Sequence, residues 1–123
     1  MAVNLTISSE EFDKEDLQEL TTDLCQTIVK ETDIDAKIVE GPTQKGAKGE
    51  PITLGFLVLT FISSGAAVAL FNIFKSYFDR ESSLKLDLQR EDGSKLSINA
   101  QNMKPEQIET TLNKFEKFFE KLG

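Results

Sequence analysis

Pro51-Ile-Thr-Leu-Gly-Phe-Leu-Val-Leu-Thr-Phe-Ile-Ser-Ser-Gly-Ala-Ala-Val-Ala-Leu-Phe-Asn-Ile-Phe74 is a run of 24 residues without one ionisable side chain, and its conformation decides the architecture. Residues 52–74 include 13 large apolar side chains among 23. As one helix the run would rise about 36 Å, enough to cross a ~30 Å hydrocarbon layer. Its apolar residues favour insertion by about −4 to −8 kcal/mol before Thr53, Thr60, Ser63, Ser64 and Asn72 are subtracted. Two features oppose a plain membrane span. The flanking pieces would lie on opposite sides, each carrying part of a sheet and each marginal for folding alone. Ser63-Ser64-Gly65 also divides the run into halves of ordinary buried-helix length. The segment therefore reads as a long apolar helix over 52–78 with a break expected at 63–65. It serves either as core and oligomer seam or as a membrane-inserted element. Its candidate contact residues are Ile52, Leu54, Phe56, Leu57, Leu59, Phe61 and Ile62 before the break, then Leu70, Phe71 and Phe74 after it. Gly65 and Ala69, four apart, would permit close helix packing in either setting.

Working outward, charge divides the chain in three. Residues 1–50 hold 12 acids and 5 bases, whereas residues 75–123 hold 9 of each. Directly ahead of the apolar run, residues 41–51 contain three glycines and two prolines and read as a loop. Lys45 and Lys48 in it suit a trypsin-like cut. Earlier still, Val3, Leu5 and Ile7 alternate with polar residues as a first strand. Acids at 10–16 suit the start of a helix over about 14–31, with Leu17, Leu20, Leu24 and Ile28 on its buried stripe. Ile38 and Val39 mark a second strand over 36–40, and a helix between two strands suggests a parallel crossover. Beyond the apolar run, Leu84, Leu86 and Leu88 alternate with Lys85, Asp87 and Gln89. Asp92-Gly93 then signals a hairpin over 83–99. Pro105 suits a first helical position, and Ile108, Leu112, Phe115, Phe118, Phe119 and Leu122 form the apolar face of a last helix over 105–122. The expectation is one α+β domain over 1–123. It has a single small mixed β-sheet and about three helices, in the order β-α-β-α-β-β-α with the second helix long and apolar.

The composition excludes several function classes. A net charge of −7 opposes nucleic-acid binding, which needs clustered bases. There is no histidine, so His-based triads and the commonest metal ligand are missing. Cys25 lies beside the buried Leu24 with Asp23 nearby, the opposite of the electropositive setting that activates a thiol. The acids at 10–16 are a solvated helix start, not a metal or acid/base cluster. Gly41 to Lys48 echoes a phosphate-binding loop, but Ala47 separates Gly46 from Lys48 and Gly49 replaces the hydroxyl residue, so the match fails. No cofactor and no catalytic residue is expected. One cysteine and a start without a signal-peptide pattern lead to an expected cytoplasmic location, with association at the inner membrane as the alternative.

Taken together, residues 41–98 resemble a bacterial family. The likeness rests on the Gly/Pro loop, Pro51-Ile-Thr-Leu-Gly-Phe-Leu-Val-Leu-Thr, Ser63-Ser-Gly-Ala-Ala-Val-Ala-Leu, Lys75-Ser-Tyr-Phe-Asp-Arg80, the alternating strand and Asp92-Gly93. The chain is similar to the effector-associated constant component family, first type. Its members are small proteins encoded beside effectors of conflict systems, among them trypsin-like and caspase-like peptidases. Tyr77 stands where members tend to have Trp, and Asn72 where several carry a charge. The resemblance implies a non-enzymatic adaptor that couples sensing to a protein effector through protein contacts or self-association, with a homo-oligomer expected. Two alternatives stay open beside it. One is a latent membrane-active protein whose segment 52–74 is released by cleavage at Lys45 or Lys48. The other is a single-span membrane scaffold.

Overall fold

The computed structural model describes residues 2–39, 54–60 and 65–120. In chain order they form β1 (Ala2–Ser9), α1 (Lys14–Glu31), β2 (Asp35–Ile38), β3 (Leu54–Thr60), α2 (Ala66–Arg80), β4 (Leu84–Arg90), β5 (Lys95–Asn99), a 3-10 turn (Ala100–Met103) and α3 (Ile108–Glu120). The strands make one five-stranded sheet in the order β2-β3-β1-β4-β5.

The long apolar helix expected over 52–78 is corrected. Its first half is strand β3, and only its second half is helical. Leu54-Gly-Phe-Leu-Val-Leu-Thr60 carries apolar residues on both faces, so it shows no two-residue period and reads like a buried helix. Position explains the composition: β3 lies between β1 and β2 and is hydrogen-bonded along both edges. Gly55, Leu57 and Leu59 point to the core, while Phe56 and Val58 are half-buried on the other face. Of the expected break at 63–65, residues 63 and 64 lie outside the described residues, and Gly65 directly precedes α2.

The insertion of β3 also corrects the mixed sheet. All four neighbouring pairs are antiparallel. β1 and β2 both run against β3, so they are parallel to one another, with α1 crossing over the strand between them. The expected parallel crossover is therefore real but reaches one strand further than its sequence suggested.

α1 starts where the acids place it. Asp13 caps it, its carboxylate accepting the Asp16 N–H at 2.8 Å, and Glu15 and Asp16 occupy the positive first turn. Leu17, Thr21, Leu24 and Ile28 face the sheet. Gly55 lets the helix come close: a Cβ there would stand 2.1 Å from the Thr21 hydroxyl oxygen. That hydroxyl donates to the Leu17 carbonyl at 2.7 Å, so its burial costs no unpaired donor.

α2 is the centre of the helical layer, burying Leu70, Phe71, Phe74 and Phe78 among others. At 15 residues it spans about 22 Å. α3 packs on α2 through rings, and Phe118 near its end meets Arg90 of β4. Phe115 meets Phe71 and Phe74 edge-on, with centroids 5.4 and 5.8 Å apart, and Phe119 at 4.7 Å. Pro105 precedes α3 in a turn and does not open the helix, because Ile108 is the first helical residue. The sheet's other face is largely wet, with Asn4, Lys85, Gln89, Lys95 and Asn99 exposed.

Candidate functional site

On β4 the inward positions are Leu84, Leu86, Leu88 and then Arg90, a base where the alternation calls for an apolar residue. Only 9% of Arg90 is exposed. Nη1 donates to the Phe118 carbonyl at 3.0 Å, Nη2 bonds the Asp92 carboxylate, and the guanidinium carbon lies 5.5 Å from the Phe118 ring centroid. Phe118 sits in the last turn of α3, where carbonyls lack intrahelical donors and the helix end is negative. Arg90 thus ties the β4–β5 hairpin to the end of α3. Its Nε is buried with no hydrogen-bond partner among the described residues.

The hairpin turn holds the other side of this arrangement. Arg90 and Ser94 pair through N–H to carbonyl at 2.9 Å, leaving a three-residue connection, and Gly93 takes φ = 90°. Only glycine adopts that conformation without strain. The Ser94 N–H donates to Asp92 at 2.9 Å and, with the Arg90 charge behind it, holds the Asp92 carboxyl below the usual carboxylate range.

Between hairpin and α3 lies a groove of about 740 Å³ lined by Arg90, Ser94, Lys95, Leu96, Lys114, Lys117 and Phe118. Lys114 and Lys117 are one turn apart on the outside of α3, and Lys95 opens β5. None of these lysines forms an ion pair among the described residues. A basic rim over the apolar Leu96 and Phe118 suits an amphipathic, acidic protein surface.

The opposite charge gathers on α1. Glu15, Gln18, Glu19, Thr22, Asp23 and Gln26 line a shallow hollow along its exposed side. Next to it Tyr77 of α2 donates to Asp23, lies 3.3 Å from the Thr27 hydroxyl, and carries the Arg80 guanidinium 4.7 Å over its ring. Burial, then the Asp23 carboxylate, pushes the phenol above its ordinary value. Cys25 is half-buried, its thiol donating to the Ala36 carbonyl at 3.3 Å. Burial, then the charge of Asp35, raises it, which disfavours the thiolate.

The segment singled out from sequence is divided by the fold. Leu57, Leu59, Leu70, Phe71 and Phe74 are core residues, Phe56 lies half-buried on the outer sheet face, and Leu54 opens β3. Gly65 is exposed with open space where a Cβ would stand, so among the described residues it makes no close helix contact. Ala69 lies beside it in a hollow with Lys30 to Asp33. Ile52, Phe61, Ile62, Lys45 and Lys48 lie outside the described residues. Among the described residues no helix is long and apolar enough to cross a membrane, and no group of three or more His, Cys, Asp or Glu could hold a metal ion. The groove was not foreseen. Its sequence signal is the inward base at Arg90, but Lys114 and Lys117 join it only through the packing of α3. Compared with protein-family models, curated proteins and solved structures, the chain matches none.

Proposed function

We propose that this protein is a non-catalytic adaptor of a bacterial conflict system, holding a protein effector by surface contact. The observation that supports it is the pair of oppositely charged docking faces on one small framework: the basic groove beside β5 and the acidic side of α1. An adaptor needs more than one such face, and charge-complementary faces give specificity and speed of encounter. The resemblance of residues 41–98 to effector-associated components supplies the effector class, a trypsin-like or caspase-like peptidase.

Co-expression with a candidate peptidase of the trypsin-like or caspase-like class tests this. The wild-type chain is expected to retain the peptidase through purification at physiological salt. Lys114→Glu/Lys117→Glu or Glu15→Lys/Glu19→Lys is expected to lose most of it. Absence of a complex, or a complex indifferent to both pairs of changes, would reject the reading.

A further inference from the structure

The two charged faces fit one another. α1 packs over β2 and β3 at one margin of the helical layer, and α3 flanks α2 at the other. Glu19 and Asp23 lie toward α2, beside Tyr77 and Arg80, while the basic groove lies beside β5, an edge strand of the sheet. A contact between the acidic face of one copy and the basic groove of another leaves each of those two copies with one face unused.

We propose that the groove formed by Arg90, Lys95, Lys114 and Lys117 receives the acidic side of α1 from a second copy of this chain, so that the protein assembles head-to-tail. The inference rests on the adaptor reading: within an assembly the two charged faces occupy one another, and a face left free at an open end remains for the effector.

Charge and surface chemistry both favour this occupant. Glu15, Glu19 and Asp23 lie along one side of α1 over a rise of about 12 Å. They form no ion pairs among the described residues, though Asp23 accepts the Tyr77 hydroxyl, and Lys95, Lys114 and Lys117 form none either. Each face thus presents charge that the other lacks. The apolar parts match as well. Val29, one turn beyond Gln26 and 48% exposed, gives the acidic face an apolar end, while Leu96 and Phe118 floor the groove. Arg90, buried and committed to the Phe118 carbonyl and Asp92, holds the groove's wall in place, and the exposed lysines are left to meet the carboxylates. The contact uses different surfaces on the two partners. It is heterologous, and it propagates into a ring or a filament rather than stopping at a dimer.

Purified full-length chain, without effector, tests the proposal by light scattering and sedimentation across protein concentration. The expected mass rises beyond a dimer at low ionic strength and falls toward the monomer in high salt, where the Debye length is about 3 Å at 1 M. Glu15→Lys/Glu19→Lys alone, and Lys114→Glu/Lys117→Glu alone, are expected to stay monomeric. Mixed together they offer two complementary pairings, native groove with native α1 and reversed groove with reversed α1, and are expected to co-assemble in equal proportion. All four changes in one chain are expected to restore assembly. Circular dichroism confirms folding, and the milder Glu15→Gln/Glu19→Gln is expected to weaken assembly should the reversed pair not fold.

A wild-type protein that stays monomeric at low salt, single-face variants that assemble like the wild type, or a mixture that does not co-assemble would each overturn the proposal. A monomer that still retains the peptidase would overturn self-assembly while leaving the adaptor reading in place. An assembling chain that binds no peptidase would do the reverse.

Discussion

Gly55 and Arg90 are single positions where tertiary contact overrides local preference. A methyl at Gly55 would collide with the Thr21 side chain across the α1–β3 contact. Gly55→Ala is therefore expected to destabilise by about 1–3 kcal/mol, the range for overpacking a filled site. Adding Thr21→Ala should return part of that loss in urea titrations, because the two sites share one contact. Arg90→Met keeps much of the stem and deletes the bonds to Phe118 and Asp92. A loss of about 1–3 kcal/mol is expected, together with faster amide exchange in the last turn of α3. Equal exchange in both proteins would show that Arg90 does not anchor that helix end. Cys25 and Tyr77 are both raised in the folded state. Their contribution to stability is complete below the ordinary thiol and phenol values and is lost as pH rises through the raised ones. Stability should therefore fall on the alkaline side, and Tyr77→Phe should flatten the upper part of that fall. An unchanged profile would remove Tyr77 from the account.

β3 is the element that carries most consequence. A strand bonded along both edges is held by the sheet and not by the chain on either side of it. The connection from β2 to β3 contains Lys45 and Lys48, so a cut there leaves both ladders of β3 in place. Trypsin-nicked protein is expected to migrate as one particle without denaturant and to remain at the bottom of a liposome flotation gradient. Flotation after nicking would instead support the latent membrane-active alternative, with β3 pulled from between its neighbours. α2 is the other half of the apolar run, and its Leu70, Phe71 and Phe74 are already committed to α3 and the sheet.

At the scale of the whole molecule, one core joins sheet and helices. Buried residues of every strand and every α-helix fall in a single cluster, and Phe74 at its centre has no exposed surface. Phe74→Ala should cost about 3–5 kcal/mol. Because no element has a separate core, the lost stability should appear as one transition with coincident far-UV and near-UV signals. Two separated transitions would mean that the helical layer folds apart from the sheet. The net charge of −7 keeps copies apart in general, so only a locally complementary pair of faces would bring them together.

The sequence by itself determined the elements whose signals are local. α1 was legible from its acids and its stripe of Leu17, Leu24 and Ile28, and the β4–β5 hairpin from alternating leucines before Asp92-Gly93. α3 was legible from its phenylalanine face to within a few residues, because caps, turns and periodicities act between near neighbours. The single α+β core followed from those elements and the amount of apolar material. Only the tertiary structure decided the conformation of 54–60, because an apolar run without a period fits a buried strand and a buried helix equally. The choice is made by β1 and β2, which come from far along the chain. The same holds for the groove: Arg90, Lys95, Lys114 and Lys117 are scattered in sequence, and they meet because α3 packs on α2 and ends against β4.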